Sequence, residues 1–281
     1  LEIGWIVERK LSDGDYVLLN RQPTLHKASM MAMKIVLKKY KTLRMNLAIT
    51  KPFNADFDGD EMNIHAPQSL ESRTELELLS AAQWNIISAQ SSKPNIAIVQ
   101  DSLLGAYRMT LGFQKISKEQ FFNISMKLEL RQCIMSKIQH IRKILKEKGK
   151  KIQAFTGKGL ISLFLPPDLI YERKNDANSL EPVVRIWRGV LYEGTLDKSI
   201  IGASHNSLIQ IIHKEYGASE ASYFVDCMQF VTNEWNLIKI FSIGLGDCLV
   251  SSQAKATEIQ DVIKKSYIEA EGIKNTTNHP G

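Results

Sequence analysis

Asp56, Asp58 and Asp60 stand at alternate positions in NADFDGDEMN, residues 54–63, with Gly59 between the last two. Three carboxylates this close offer hard oxygen donors, and the chemistry they suit is capture of a divalent cation. A straight strand cannot deliver it. Residues two apart on a strand lie about 7 Å apart on one face, whereas magnesium draws its ligand oxygens to roughly 2.0–2.1 Å. The segment must curl, and Gly59 permits the backbone angles of a curl. Pro52 and Pro67 on either side also disfavour a continuous central strand. Without a cation the trio is costly: two unit charges about 4 Å apart repel by roughly 4 kcal/mol at an effective dielectric of about 20. A divalent cation reverses the sign of that energy.

The competing reading is a solvated acidic turn. Phe57, Met62 and Ile64 argue against it, because they would anchor the loop on a core. A calcium EF-hand loop fails on spacing. With Asn54 as the first ligand position, Gly59 falls on the required glycine, but His65 stands where a bidentate glutamate is needed. With Asp56 first, Glu61 takes the glycine position and Pro67 the last one. Strand-like LRMNLAITKPF precedes the loop, where an EF-hand needs a helix.

The elements around the loop must position it. DYVLLN and LRMNLAIT read as strands. Between them, PTLHKASMMAMKIVLKKY is ambiguous: its methionines suit a short helix and KIVLKKY a strand. SLESRTELELLSAAQWNII reads as a helix capped by Ser69 or Ser72, with acids in its first turns. A second helix follows in SSKPNIAIVQDSLLGAYRMTL. Residues 119–147 carry one long amphipathic pattern through Phe122, Met126, Leu130, Ile134, Ile138, Ile141 and Leu145. Its basic end holds Arg142, Lys143, Lys146, Lys148, Lys150 and Lys151. That end reads first as a solvated terminus favoured by the helix dipole, and second as a nucleic-acid contact. From GKGLISLFLPPDL to RIWRGVLYEGTLDK the chain returns to strands. Phe224, Met228, Val231, Trp235 and Ile238 line the core face of a helix, FSIGLGDCLVS is a glycine-punctuated turn, and TEIQDVIKKSYIEAEG opens a last helix.

The 281 residues are 44% apolar and 23% charged, which is ordinary for a folded globular protein with a sizeable core. The net charge of +6 is compatible with a polyanionic partner. Cys133, Cys227 and Cys248 are widely spaced with no C-x-x-C, so no zinc site is expected in this segment. Three cysteines cannot all pair, and a reducing, intracellular compartment is expected. No apolar run has the length of a membrane span. The chain opens on Leu1 and closes on NTTNHPG, and we expect a piece of a longer polypeptide.

NADFDGD resembles the signature of the largest subunit of multisubunit DNA-directed RNA polymerases. LLNRQPTLHKASM, PQS, SAQSSKPNIAIVQDSLLG and FSIGLGD resemble further segments of that family, in the family's order. The similarity is strongest from Asn20 to Leu111 and weakest between Gln114 and Ser199. Its wording is closer to eukaryotic and large-DNA-virus versions than to bacterial ones. The resemblance implies an α+β fold: part of a double-psi β-barrel over residues 1–82, a mixed α/β pore domain over 83–240, and the start of a helical funnel over 241–281. It implies templated nucleotidyl transfer, in which the RNA 3′-hydroxyl attacks the α-phosphate of a nucleoside triphosphate and pyrophosphate leaves.

The same resemblance assigns one tightly held Mg²⁺ to Asp56, Asp58 and Asp60, with a second arriving with the nucleoside triphosphate. Two metals suit in-line displacement at phosphorus. Arg21 matches the arginine that reaches the ribose hydroxyls, Asn54 the asparagine facing the 2′-hydroxyl, and Pro23 the proline near the base. Taken alone, Arg21 would be a strand-end arginine, Asn54 a turn residue and Pro23 a loop stiffener. His26 and Lys27 could approach nucleic acid or serve the structure. His65 is expected to be structural, and Gln100 and Asp101 to organise the pore domain. The implied partners are the second-largest subunit and other polymerase subunits, a DNA template, the RNA transcript and nucleoside triphosphates, with no membrane. The implied location is the nucleus for a cellular protein, and the cytoplasm or virion for one from a large DNA virus. The family's bridge helix and trigger loop have no match here, so the isolated segment is expected to be inactive. Two other readings are a metal-binding assembly module without activity of its own and an RNA-templated RNA polymerase, which NRQPTLHK and FSIGLGD argue against.

Overall fold

A computed structural model describes residues 2–150, 154–174, 181–250 and 252–277. Its contacts divide the chain into two compact units, Leu1–Ile238 and Lys239–Gly281. The first contains two small antiparallel sheets among helices. The strands are β1 (Tyr16–Asn20), β2 (Met30–Lys34), β3 (Asn63–His65), β4 (Tyr171–Lys174), β5 (Val183–Trp187) and β6 (Val190–Glu193). Its helices are α1 (Thr50–Phe53), α2 (Leu70–Glu75), α3 (Gln100–Thr110), α4 (Lys118–Met126), α5 (Ile134–Glu147), α6 (Gly157–Ser162), α7 (Lys198–Ile201), α8 (Leu208–Tyr216) and α9 (Ala218–Ile238). The second unit carries the long helix α10 (Gln253–Thr277), after a short 3₁₀ turn at Leu245–Cys248 in the glycine-punctuated segment.

β1 lies between β2 and β3 in the first sheet. A central strand flanked by packed chain needs apolar residues on both faces, and YVLLN supplies them with Tyr16, Val17 and Leu19 buried. The methionine run belongs to β2, where Met31 and Ala32 are buried; KIVLKKY contributes only Lys34 to that strand. The strand expected in DYVLLN is β1, and the expected return to strands between Gly157 and Lys198 is met by β4, β5 and β6. Residues 175–180 of that stretch lie outside the described residues, as does Lys151 of the basic run.

Three expectations fail, each for a physical reason. LRMNLAIT is not a strand: Leu47–Ile49 form a 3₁₀ turn leading into α1. The Asn46 side chain accepts from the Ala48 N–H at 2.9 Å, and Thr50 Oγ1 donates to the Leu47 carbonyl at 2.7 Å. Such side-chain bonds compete with a sheet ladder, and Pro52, which lacks an N–H, fits the first helical turn. The amphipathic stretch 119–147 is two helices, because residues between them engage α9. Lys127 pairs with Glu234 at 3.0 Å, Arg131 pairs with Glu220, and the Tyr223 hydroxyl donates to the Glu129 carbonyl. GKGLIS forms α6, started by Thr156, whose hydroxyl accepts from the Gly159 N–H at 3.1 Å.

One apolar cluster runs through the first unit. Phe224, Met228, Val231 and Trp235 of α9 are its spine, as their spacing predicts, and α3 and α8 pack on that helix. Ser69 caps α2 by accepting from Ser72, and a wider π turn continues the helix over Leu76–Ser80. Among the described residues no helix is long and apolar enough to cross a membrane.

Candidate metal centre

The aspartate loop is built from its two ends. Upstream, α1 stops at Asn54, which takes the left-handed conformation at φ 48°, ψ 40°. Asparagine is among the few residues that enter this region readily. The Asn54 N–H donates to the Lys51 carbonyl and the Ala55 N–H to the Thr50 carbonyl, both at 3.0 Å, which satisfies the end of the helix. Downstream, β3 joins the sheet with Asn63 opposite Asn20 and Ile64 opposite Leu19. Between these anchors Gly59 makes the bend at φ +114° with open space around it.

The register explains Arg21. It follows Asn20 directly, so the strand pairing delivers its side chain to the closing end of the loop. Its Nε donates to Asp60 Oδ2 at 2.8 Å, and its Nη1 to the Phe53 carbonyl at 3.4 Å. One guanidinium thereby ties the last residue of α1 to the last aspartate. Asp60 Oδ2 also accepts from the Asp56 N–H at 3.1 Å, and Asp56 Oδ1 from the Asp58 N–H at 3.4 Å.

These bonds draw the three carboxylates together: one oxygen of each lies within 4.8 Å of the others. Two ligands on opposite sides of a magnesium ion with 2.1 Å bonds stand about 4.2 Å apart. Only one pair of three ligands can be opposite, and adjacent ligands stand about 3.0 Å apart, so an ion would draw these carboxylates together by up to about 2 Å, which exposed side chains allow. An all-oxygen anionic donor set suits a hard cation. All three residues are exposed. The Asp58 carboxyl is raised above its ordinary range, first by its hydrogen bond to the Asp56 carboxyl and then by that group's charge. Asp60 moves the other way, held down chiefly by its hydrogen bond from Arg21. The trio plus Arg21 carries a formal charge of −2, less negative than the aspartates alone.

The hydrophobic anchors differ from expectation. Met62 packs against the core, joined by Ala55. Phe57 is 68% and Ile64 44% exposed. The loop is short, and its bend at Gly59 turns Phe57 outward, while β3 is an edge strand whose three residues are all exposed. Of the other candidates, Asn54 forms the base of the loop. Pro23 lies in the exposed turn after β1, apart from the network that joins Arg21 to the aspartates. His26 and Lys27 are exposed in the same turn, and His65 lies in β3 opposite Leu18. Gln100 begins α3 in a left-handed conformation, and the Asp101 carbonyl accepts from Asn236 of α9 at 2.9 Å. The link from Arg21 to Asp60 was missed in the sequence. Its only signal was the pairing of β1 with a three-residue strand 43 positions on, which no local pattern encodes.

Comparison with known proteins adds the decisive observation. The family model described as RNA polymerase Rpb1, domain 3, matches residues 85–248, and that for RNA polymerase Rpb1, domain 2, matches residues 1–82. The chain belongs to the RNA polymerase Rpb1 family. A probable DNA-directed RNA polymerase II subunit RPB1 homolog from Invertebrate iridescent virus 6 is 43% identical over 100% of this chain. The DNA-directed RNA polymerase II subunits RPB1-A and RPB1-B of Trypanosoma brucei brucei are each 38% identical over 99% of it. The Rpb1-family chain spans 27% of the length of the viral relative and 15% of the trypanosome ones. Its aspartate loop lies inside the domain 2 match, residues 1–82.

Proposed function

We propose that this Rpb1-family chain contributes the magnesium-binding loop to a DNA-directed RNA polymerase that adds nucleotides to the 3′ end of RNA. The observation that carries the reading is the convergence of three carboxylates within 4.8 Å at a loop tied down at both ends. Asp56, Asp58 and Asp60 would hold the ion, and a second would come with the nucleoside triphosphate. Bound magnesium would supply positive charge to the reacting oxygens at phosphorus.

The chain's own residues orient that chemistry. Arg21 fixes Asp60, and its Nη2 has no protein partner among the described residues, so the same guanidinium can also meet a ribose edge. Asn54, exposed at the base of the loop, can donate to and accept from a 2′-hydroxyl. Pro23 would lie near the base. The domain reading that goes with this function is a double-psi barrel segment over 1–82, a pore domain over 83–240 and the start of a funnel from 241. The second-largest subunit, other polymerase subunits, template DNA and the transcript complete the site. A nuclear location, or the cytoplasm or virion for a virus-encoded protein, follows from the same reading. On this view the isolated chain does not polymerise.

The test is to replace magnesium by Fe²⁺ in the assembled enzyme and map hydroxyl-radical cuts. Cleavage concentrated within residues 54–63 is the expected result. Cleavage centred on another part of the chain would overturn the assignment.

A further inference from the structure

A second charged cluster draws its residues from separate parts of the chain. Lys118 opens α4, Arg142 and Lys146 lie one turn apart on α5, and Lys150 follows that helix. All four line a single concavity of about 450 Å³, walled by Phe155. The Lys118 ammonium and the Arg142 guanidinium stand 5.9 and 5.5 Å from the centre of the Phe155 ring. Among the described residues no carboxylate pairs with Lys118, Arg142 or Lys146. Lys150 has Glu193 at 3.6 Å, and that carboxylate is shared with Arg185 at 3.3 Å.

A basic helix end made only for solvation has no need of this arrangement. Like charges four residues apart on a helix repel, as Arg142 and Lys146 do. The acid available on that turn, Glu147, stands four residues after Lys143, which does not line the concavity. The unpaired cations are exposed and share one concavity, where Lys118 of another helix joins them at an N-terminus that itself favours anions. We infer that this concavity is a binding site for an oligophosphate, a compact anion of two or more linked phosphates. The arginine fork suits two phosphate oxygens, and the lysines serve as point charges around it. Convergence on one hollow, instead of a stripe, favours a compact anion over an extended nucleic-acid strand. The site is independent of the magnesium reading.

Isothermal calorimetry of the whole chain with inorganic triphosphate, without metal, tests it. Saturable binding is expected, weakened about tenfold or more by Arg142→Ala and by Lys146→Ala, and within about twofold of the parent in Lys143→Ala. Far-UV circular dichroism checks that each variant folds. ATP is the second arm: affinity no tighter than triphosphate assigns the free oligophosphate, and tighter affinity assigns a nucleotide carrying one. Absence of saturable heat overturns the site. So does equal weakening by Lys143→Ala, or binding of a single-stranded oligonucleotide without any of triphosphate.

Discussion

In residues 54–62 every residue but Ala55 and Met62 is exposed, whereas along α9 Phe224, Met228, Val231 and Trp235 are almost wholly buried. The helix gains stability from apolar area removed from water, roughly 25 cal/mol per Å². The loop gathers like charges and gains little from burial. Its shape is borrowed from its ends, through the α1 terminus, the β1–β3 pairing and Arg21. Stability and chemistry are therefore separable in this molecule. Substitutions in one region should leave the other's readout in place.

The sharpest way to break that separation is Asp58→Asn in the assembled polymerase. It removes an exposed carboxylate from the trio and touches no core contact. Templated RNA synthesis should fall about 10⁴-fold, roughly 5.5 kcal/mol of barrier, while the thermal melt stays in place. Synthesis at a near-normal rate would sink the metal reading. The converse variant is Phe224→Ala. Phe224 is fully buried and its ring centre lies 5.8 Å from that of Phe164. Denaturant unfolding should show a loss of about 3–5 kcal/mol, and an unchanged midpoint would mean that α9 is not the spine of the core.

A pair of glycines puts the same chemical change in the loop and in the buried core around α9, at Gly157 of α6. At Gly157 an added Cβ would run into the Met109 carbonyl of α3. Gly157→Ala should cost about 1–3 kcal/mol of stability by overpacking. At Gly59 the added Cβ meets open space, but φ +114° is a conformation that side-chain-bearing residues rarely adopt. Gly59→Ala should relax by reshaping the loop, lowering magnesium affinity in the assembled enzyme about tenfold, or 1.4 kcal/mol, with little change in the melt. Equal melting shifts in the two variants would show that the loop is more tightly bound to the fold than its exposure indicates.

The two regions were also legible in different ways. The α9 face could be read from spacing alone, because a buried helix repeats its apolar residues with the helical period. The trio's capacity for a cation was readable from residue type and spacing. The network that closes the loop was not, since Arg21 and Asp60, 39 residues apart, meet through the pairing of β1 with β3. LRMNLAIT misled because its alternation suits a strand while Asn46 and Thr50 satisfy the local backbone in a turn. The periodicity over 119–147 continued across a break whose residues pair with Glu220, Tyr223 and Glu234 of α9, contacts that no local pattern encodes. GKGLIS looked unlike a helix because of two glycines, and those glycines are what let α6 approach the Met109 and Ala154 carbonyls. Phe57 was expected inside and lies outside; apolar character does not say which face of a bend a residue takes.

The smallest predicted effect concerns a charge placed within the buried region. Lys137 of α5 is 7% exposed, and its ammonium donates to the Leu165 carbonyl at 3.0 Å. Burial pushes its pKa below the ordinary lysine value. The folded state therefore releases this proton more readily than the unfolded chain. Its effect on stability is most unfavourable at neutral pH, where both states are charged. That disadvantage is removed as pH rises from the lowered folded value to the unfolded value of about 10.4. Lys137→Met keeps a long flexible side chain without a titrating group. Melting curves of parent and variant, taken from pH 7 to about 10, should converge or cross in the parent's favour as pH rises; the tyrosines and cysteines that also titrate there are common to both and cancel. A constant offset would mean that the Lys137 ammonium is as well solvated as the loop's carboxylates, and the contrast between the two regions would then not extend to their charges.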